Sequence, residues 1–402
     1  MQDTLPTAER SPQSLSALFF EYTPQVVTEP LTDFSGIKRG TAPFCQVAPG
    51  SLQEVLGIID LAAQESIPLR VRGMGHALNG SSLSQAGELT VSTACLNWVR
   101  YEEVGTVTAG GGIDLWSLRD LVQGTHFTLP VVNDGYAGPS VGGFVAAGGF
   151  GPGSADFGGF WENVAEISLV ATTGLKRIRR QDELFPWLFG SMGQLGIIVE
   201  ARLDLVPYAV DKTPAYPLGR SISMSAIEDA SRRVMTAPPE EIGTRLYWFT
   251  LFVAQERLDD ALAHLATLET KHSGVFHYRE RYRYLIRHRN LVVAPLIYPH
   301  ASSFFAVGTW GFQQDQTPAG LAQLNAFEQD FMQLALDHGF QRYIQSELAS
   351  GVSLYRRYFA PDIFARFGAA KLSVDPQSIF NRGWVFPFDT GITGLSVLPP
   401  VL

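Results

Sequence analysis

The sequence of 402 residues has little cysteine, no excess of basic residues and no long apolar run. Its two cysteines, Cys45 and Cys95, are too few for a disulfide framework, and neither stands in a Cys-x-x-Cys or Cys/His metal spacing. We therefore predict a reduced protein without a metal. The net charge of −9 provides no basic surface that could neutralise nucleic-acid phosphates, so nucleic acid is not an expected partner.

The sequence also lacks segments that direct a protein to a membrane or anchor it there. Nowhere do about 18 apolar residues follow one another, so no membrane span is predicted. The first 25 residues have no basic start followed by an apolar run, and their longest apolar patch covers residues 17–20. We therefore expect no secretory signal and predict a cytoplasmic protein. No feature of the sequence indicates an oligomeric state.

Glycine, by contrast, is abundant and gathers in three segments. They are residues 68–80 (PLRVRGMGHALNG), 141–154 (VGGFVAAGGFGPGS) and 184–198 (LFPWLFGSMGQLGII). Gly73 and Gly75 carry no Cβ, so the chain around His76 can adopt positive φ values and present several N–H groups to one phosphate. Taken singly, each segment equally suits a set of tight turns, which is the commoner use of glycine.

The three segments in this order, together with residues 374–383 (VDPQSIFNRG), resemble the PCMH-type FAD-binding domain of the vanillyl-alcohol oxidase family. Within that family the chain is most similar to cytokinin dehydrogenase-like and berberine-bridge-like members. The resemblance implies FAD as the cofactor and an α+β fold. It implies a two-subdomain FAD-binding domain, with FAD between the subdomains, and a substrate domain built from an antiparallel sheet with backing helices.

Apolar periodicity and capping signals divide the chain into two domains. Ser51 and Glu54 form a capping box before an apolar-periodic helix. The pattern predicts further elements in the first domain: a helix at 114–123 and strands at 69–72, 88–92, 104–109, 164–171, 175–179 and 196–206. It predicts a βαββαβ order in the second domain: 244–252, 255–272, 291–298, 302–312, 319–338 and 340–346. The predicted boundaries are 1–206 for the FAD-binding domain (core 40–206), 207–371 for the substrate-binding domain and 372–402 for the return to the first domain.

His76 is the residue to which the resemblance assigns the sharpest role. The segment from Arg72 to His76 matches a family segment whose histidine is covalently bonded to the 8α-methyl group of the flavin. The alternative is a histidine that only hydrogen-bonds FAD. Ala77 replaces a family serine, and residues 149–154 lack the cysteine that forms a second link in some members. The other residues placed on FAD by the resemblance are Arg72, Gly73, Met74, Gly75, Ala77, Ser81, Asp134, Ser140, Val141, Gly142, Gly143, Ala146, Gly148, Gly149, Phe150, Ile197, Ile198, Tyr343 and Asn381.

Two carboxylates are candidates for acid/base catalysis. Asp134 precedes the second glycine segment, where cytokinin dehydrogenases carry an aspartate that accepts a proton from the substrate amine. Asn133, Asp134 and Gly135 also have the composition of a simple turn. Glu256 resembles a substrate-contacting glutamate of the same enzymes, and it equally suits the first turn of a helix, where an acid stabilises the helix dipole.

The resulting hypothesis is an FAD-dependent oxidase or dehydrogenase. It would remove hydride from a C–H bond next to nitrogen or oxygen of a small organic molecule, with O₂ as the expected acceptor and secondary metabolism as one expected setting. The main alternative is a redox-neutral cyclase in which FAD is structural. A nicotinamide-dependent Rossmann enzyme is disfavoured, because no Gly-x-Gly-x-x-Gly follows a strand and opens a helix with an acid about 20 residues later.

Overall fold

The computed structural model describes most of both predicted domains. Its described residues are 12–25, 31–36, 39–43, 45–101, 103–133, 138–208, 245–276, 278–289, 291–298, 303–313, 315, 317–346 and 359–382. Asp134, nearly all of the predicted connecting region and residues 383–402 lie outside these ranges.

The first part of the chain alternates short helices and strands. Its elements are α1 (Pro12–Leu18), β1 (Cys45–Val47), α2 (Leu52–Gln64), β2 (Leu69–Arg72), β3 (Leu89–Ser92), β4 (Val99–Arg100), β5 (Thr106–Gly110), α3 (Leu115–Gln123), β6 (Phe127–Thr128), α4 (Val141–Ala147), α5 (Ser154–Phe157), β7 (Val164–Ala171), β8 (Gly174–Arg179), β9 (Ile197–Asp204) and β10 (Val206–Pro207). Single-turn 3₁₀ helices lie at Phe20–Tyr22, Phe160–Asn163 and Phe185–Leu188.

The second part contains fewer and longer elements. They are β11 (Arg245–Ala254), α6 (Leu258–Lys271), β12 (Tyr278–Arg287), β13 (Ser303–Gln313), α7 (Pro318–His338), β14 (Gln341–Arg342) and α8 (Pro361–Val374). Further 3₁₀ turns are Gln255–Arg257 and Ile344–Ser346. Helices and predominantly antiparallel sheets together make an α+β fold, as predicted from the sequence.

A parallel three-stranded sheet of order β1-β3-β2 leads the chain to His76. The preceding helix α2 begins at the predicted cap: Ser51 Oγ accepts from Glu54 N, and Glu54 Oε2 accepts from Gly50 N at 2.9 Å. The helix buries Val55, Ile58, Ile59 and Ala62 against the sheet, in a core that also holds Phe19 of the N-terminal arm. Packing of this apolar helix face against the sheet thus positions β2 and the first glycine segment, which follows β2 in the chain.

An antiparallel five-stranded sheet of order β4-β5-β9-β7-β8 supports the other two glycine segments. Helix α4 packs against β9, with fully buried Val141 and Val145 in the core beneath it. The strands agree with the predicted ones to within a few residues at each end. A short antiparallel pair of β6 with β10 closes this part of the chain.

The second domain has the predicted βαββαβ order, with a sheet of order β12-β13-β11-β14 in which all neighbours are antiparallel. Side chains of β11 alternate between its two faces. Tyr247, Phe249 and Leu251 are fully buried in a core shared with residues of α6 and α7. The opposite face, which carries Trp248, is directed toward the first domain.

The predicted strand at 291–298 is wrong, because the second strand of this sheet is β12. Arginines at alternate positions of β12, among them Arg281 and Arg283, hide the apolar period formed by Tyr282 and Tyr284. The apolar run at 291–298 is instead a loop whose buried side chains contact the first domain. Glu162 of the first domain holds the start of this loop. Its Oε1 accepts from Arg289 N at 2.8 Å and from Leu291 N at 3.2 Å.

The last predicted strand of the second domain is also corrected. Only Gln341–Arg342 pairs with β11, opposite Phe252 and Leu251, and the chain then turns as Ile344–Ser346. Tyr343 N still donates to Thr250 O at 3.2 Å, which ties this turn to the sheet. The early departure of the chain from the sheet brings Tyr343 and Gln345 toward the first domain.

Helix α8 contacts the first domain. Lys371 Nζ donates to Gln194 O and to Asp375 Oδ2, and it reaches Phe380 O at 3.1 Å. Burial lowers the pKa of Lys371, while the charge of Asp375 opposes that shift. Helix α8 spans residue 371, and the predicted boundary at 371–372 stays a prediction.

A buried ion pair next to the first glycine segment leads to a stability prediction. Arg70 and Glu88 are almost fully buried and form a bidentate pair, with Nε to Oε2 at 2.9 Å and Nη2 to Oε1 at 2.7 Å. Arg70→Met leaves the Glu88 carboxylate buried without its cation, so the free energy of unfolding should fall by about 3–5 kcal/mol in equilibrium urea titrations. The double variant Arg70→Met with Glu88→Leu should recover much of that loss. An unchanged unfolding midpoint for Arg70→Met would contradict the prediction.

Candidate cofactor and substrate site

A cavity opens where the three glycine segments meet the second sheet. Its empty space, counted with the solvent-open mouth, is about 960 Å³. Many residues that the sequence assigned to FAD line it together: Gly73, Met74, Gly75, His76, Ala77, Ser81, Ser140, Gly142, Gly143, Ala146, Phe150, Ile198, Tyr343 and Asn381. These come from positions far apart in the chain, so the fold assembles one site from them.

The loop after β2, residues 73–77, lines this cavity. None of the backbone hydrogen bonds among the described residues uses the N–H of Gly73, Met74, Gly75 or Ala77 as a donor. Gly75 has a φ of +70°, which turns successive amides in the manner of an anion-binding concavity. The loop therefore fits the phosphate groups of a dinucleotide, with N–H donors for which the described part of the chain provides no backbone acceptor.

His76 lies in this loop and borders the cavity. Its imidazole ring stacks on Phe34, with ring centroids 4.2 Å apart and an interplanar angle of 20°. Gln345 Nε2 donates to His76 O at 3.0 Å, and Phe34 N donates to Ala77 O at 3.1 Å. Contacts from two separate segments, at Phe34 and Gln345, thus hold His76 at the cavity wall.

The start of helix α4 forms the adjacent wall. Ser140 caps the helix, its Oγ accepting from Gly143 N at 3.2 Å. Val141 N donates to Ile113 O, and Gly142 N donates to Gly111 O at 2.8 Å. A Cβ on Gly142 would stand 3.0 Å from Gly111 O. The N–H groups of Val141 and Gly142 therefore already have protein acceptors. Gly142 also allows the start of α4 to pack closely against Gly111.

Asn381 holds the edges of the site together. Its Oδ1 accepts from Val71 N at 3.0 Å, and its Nδ2 donates to Met192 O at 2.7 Å. It is 2% exposed and has a φ of +43°. A residue predicted from a weak C-terminal resemblance thus joins β2 to the third glycine segment at the border of the cavity.

Several residues assigned to FAD do not line the cavity. Val141 and Ile197 are fully buried in the core. Gly148 is the left-handed residue that ends α4, and a Cβ on Gly149 would collide with the ring of Phe144. The backbone conformation at Gly148 and the close packing at Gly149 each require a glycine without reference to a cofactor. A contact of these four residues with FAD stays a prediction.

The side chain of Arg72 packs against the loop at residues 73–77. Its Nη1 donates to Ser82 Oγ and its Nη2 donates to Thr32 O, both at 3.3 Å. The guanidinium lies against the Cα side of Gly75, where any Cβ would collide with it. Burial lowers the pKa of Arg72, and the charge of Asp33 opposes that shift. Arg72 is not part of the cavity lining, so its predicted contact with FAD also stays a prediction.

Three aromatic side chains line the cavity together with the loop at residues 73–77. Trp248 and Tyr343 of the second domain line the cavity together with Phe150, whose ring makes an edge contact to Tyr343 at 5.0 Å between centroids. The Trp248 and Tyr343 centroids lie 6.2 Å apart. Burial raises the pKa of Tyr343, so its phenol stays protonated at neutral pH. The face of β11 that lines the cavity is the one with Trp248.

Other lining residues escaped sequence reasoning: Val71, Ser82, Thr93, Asn133, Pro139, Phe144, Ala147, Met192, Gly193, Gly196 and Gln345. Met192 and Gly193 lie within the third glycine segment and have positive φ values of 52° and 75°, so the glycine pattern could have indicated them. Gln345 gave no sequence signal. Its Oε1 is buried and accepts no hydrogen bond from any described residue.

The two candidate bases have different positions. Asp134 lies outside the described residues, but the flanking Asn133 and Pro139 both line the cavity. Asn133 Oδ1 accepts from Trp116 Nε1 at 3.0 Å, which anchors one flank. Glu256 is exposed, does not line the cavity and lies in the first turn of Gln255–Arg257. This position agrees with the dipole role, and catalysis by Glu256 stays an unsupported prediction.

Gly73 offers a test of the loop geometry. A Cβ at this position would collide with Ser140 Oγ and stand 3.2 Å from Ser140 Cβ. Gly73→Ala should therefore shift the loop and lower the fraction of purified protein that carries FAD, as read from the ratio of flavin to protein absorbance. Adding Ser140→Ala removes the colliding oxygen and should restore part of the loading. Full loading of the single variant would show that the loop tolerates the side chain.

Comparisons with known proteins agree with this assembly. Residues 43–178 match the family model described as an FAD binding domain. An uncharacterized oxidoreductase in the fasciation locus of Rhodococcoides fascians is 33% identical over 179 residues, 43% of this chain and 40% of that protein. Cytokinin dehydrogenase 2 of Arabidopsis thaliana is 30% identical over 204 residues, 48% of this chain and 39% of that protein. D-lactate dehydrogenase of Archaeoglobus fulgidus is 26% identical over 206 residues, 49% and 45% of the two chains.

The chain spans about two fifths of the length of the curated relatives it matches. The family match at residues 43–178 covers the first two glycine segments. Among the described residues, no helix combines the length and apolar character needed to cross a bilayer.

Proposed function

Since the chain belongs to the family of flavoproteins with a PCMH-type FAD-binding domain, we propose that it is an FAD-dependent oxidoreductase acting on a small organic molecule. FAD is the cofactor of this domain. The observation that carries the proposal is the cavity itself. One wall is a loop of unused N–H donors with His76, and the opposite wall is the aromatic group of Trp248, Tyr343 and Phe150.

The residues present suit each part of FAD. The donors of the loop at 73–77 would hold the pyrophosphate, between the two predicted subdomains, and the His76 ring would carry the covalent link to the flavin. When bound, the flavin supplies a hydride acceptor, which is chemistry that no side chain of the protein provides. The chain's own part is to orient the flavin and the substrate and to exclude water.

The substrate class follows from the opposite wall. Three aromatic rings favour a flat or apolar molecule, and they leave little polar surface on this wall of the cavity. Gln345 Oε1 is a buried acceptor without a protein donor among the described residues, so it suits an N–H or O–H group of a bound molecule. Hydride would leave a carbon next to that nitrogen or oxygen, and Asp134 would take the proton.

Finer assignments belong to the same proposal. O₂ is the proposed electron acceptor, and the cytoplasm is the proposed location. Cytokinin dehydrogenases and a D-lactate dehydrogenase are both among the relatives, so the relatives do not favour one substrate. A role in secondary metabolism also stays part of the proposal. The domain boundaries 207–371 and 372–402 stay part of the proposal.

Anaerobic spectroscopy tests the proposed function. The purified protein should be yellow, and candidate amines and alcohols with an aromatic group should bleach its flavin absorbance in the absence of O₂. Product formation with a permanently oxidised flavin would instead support the redox-neutral cyclase. A colourless protein that cannot be reconstituted with FAD would contradict both functions.

A further inference from the structure

A second group of chemically capable side chains lies on the outer helices of the second domain. Helices α6 and α7 cover the sheet face opposite to Trp248, so this group is separate from the cavity. Asp260 and His264 lie one turn apart on α6. His338 is the last residue of α7, before Gly339 with a φ of +65°.

The three side chains converge. His264 Nε2 lies 3.0 Å from Asp260 Oδ1, and the His264 and His338 rings have centroids 3.7 Å apart. One ligand atom from each residue can be chosen so that all three lie within 4.8 Å of one another. We infer that Asp260, His264 and His338 bind a divalent transition-metal ion, for which Zn²⁺ is the probe. Two imidazoles and a carboxylate suit this class of ion, and three protein ligands leave a position for water.

The surroundings orient the ligands. Arg257 Nη2 donates to Asp260 Oδ2, and Nη1 donates to His338 O, both at 2.6 Å. The guanidinium also lies over Phe340. The bond to Oδ2 leaves Oδ1 for the metal, and hydrogen-bonded carboxylates are usual at metal sites. The charge of Arg257 opposes a cation, while the Asp260 carboxylate and the C-terminal end of the α7 dipole favour it.

Metal binding would join the start of α6 to the end of α7. From His338 the chain passes through β14 to Tyr343, which lines the cavity. The ion would therefore stabilise the second domain and the backbone that precedes Tyr343, without a part in the chemistry. This inference is independent of the proposed function.

The same two helices provide a matched comparison. His272 Nε2 and Lys271 Nζ both lie 2.6 Å from Asp330 Oδ2. There a lysine stands beside the carboxylate and competes with a cation. Among the described residues, Asp260, His264 and His338 form the one group of three metal-type ligands whose atoms approach closely enough. His272→Ala therefore removes a histidine from α6–α7 contacts without touching the proposed site.

Calorimetric titration tests the inference. The full chain, with its flavin as purified, is treated with a chelator, dialysed and titrated with ZnCl₂. One equivalent should bind and raise the melting temperature of the wild type and of His272→Ala. His264→Asn should lose both the saturable binding and the shift. The side chain of His264 is 35% exposed, so the variant should keep the metal-free melting temperature.

His338→Asn provides a second, independent ligand variant with the same expected losses. Circular dichroism of each metal-free variant separates loss of a ligand from loss of folding. Absence of saturable Zn²⁺ binding to the wild type would overturn the inference. Equal binding by the wild type and by either correctly folded ligand variant would overturn it as well.

Discussion

Asp134→Asn is expected to slow anaerobic reduction of the flavin by roughly 10²- to 10⁴-fold, the usual effect of removing a positioned general base. The amide keeps the size of the side chain and loses the proton acceptor. Hydride departure from carbon would then lack simultaneous proton removal from the neighbouring heteroatom. Stopped-flow absorbance with a substrate that bleaches the wild-type flavin measures the rate directly, before any later step limits turnover.

The position of Asp134 in the sequence supports this role. Its described neighbours Asn133 and Pro139 both line the cavity, and Asn133 is anchored by Trp116. A turn role predicts a different outcome, namely loss of folding or of FAD with no specific effect on the reduction rate. The flavin spectrum of Asp134→Asn distinguishes the two, since a base variant should keep it nearly unchanged.

Asp120→Asn is the matched charge control. Asp120 is exposed on α3, pairs with Arg119 and is absent from the cavity lining. Its variant should reduce the flavin at the wild-type rate. Near-wild-type reduction in correctly loaded Asp134→Asn would eliminate Asp134 as the base, and Glu256→Gln would then be the next variant to test.

His76→Ala is expected to abolish covalent attachment of the flavin completely. In the wild type, acid precipitation should leave the yellow colour in the pellet, and the intact mass should exceed that of the chain by one FAD. In the variant, all flavin should appear in the supernatant, because no other residue of the loop offers a ring nitrogen. The contacts of His76 with Phe34 and Gln345 hold the residue at the cavity wall, as such a link requires.

His126→Ala is the control for this experiment. His126 is exposed, precedes β6 and does not line the cavity, so its removal should leave the flavin attached. A wild-type mass equal to the bare chain would refute the covalent link. FAD binding by the loop amides would survive that result, because it depends on the backbone of residues 73–77.

Local features of the fold were predictable because their causes are local. The cap of α2 depends on Ser51 and Glu54, three residues apart, and β2 depends on a short stretch of alternating apolar and arginine residues that ends at glycine. The cofactor loop was predictable for the same reason, since Gly73, Gly75 and His76 are consecutive or nearly so. The βαββαβ order followed from the sequence of helical and extended patterns.

The errors arose where distant residues decide the outcome. The apolar run at 291–298 predicts a strand, but its side chains are buried against the first domain rather than in a sheet. The arginines of β12 hid a real strand, because their solvent-exposed side chains mask the apolar alternation of Tyr282 and Tyr284. Periodicity describes a segment's own faces and does not reveal which other segment covers them.

The sequence by itself determined the FAD-binding domain and its cofactor, and it predicted the loop for that cofactor, because glycine spacing around a histidine is a property of neighbouring residues. Only the tertiary structure decided that Trp248 joins Tyr343 in the cavity lined by that loop, since the two residues come from different ends of the second domain. It also decided the proposed metal group, in which His338 joins Asp260 and His264 by helix packing. Side chains distant in the chain meet through buried contacts between elements, and no local pattern records those contacts.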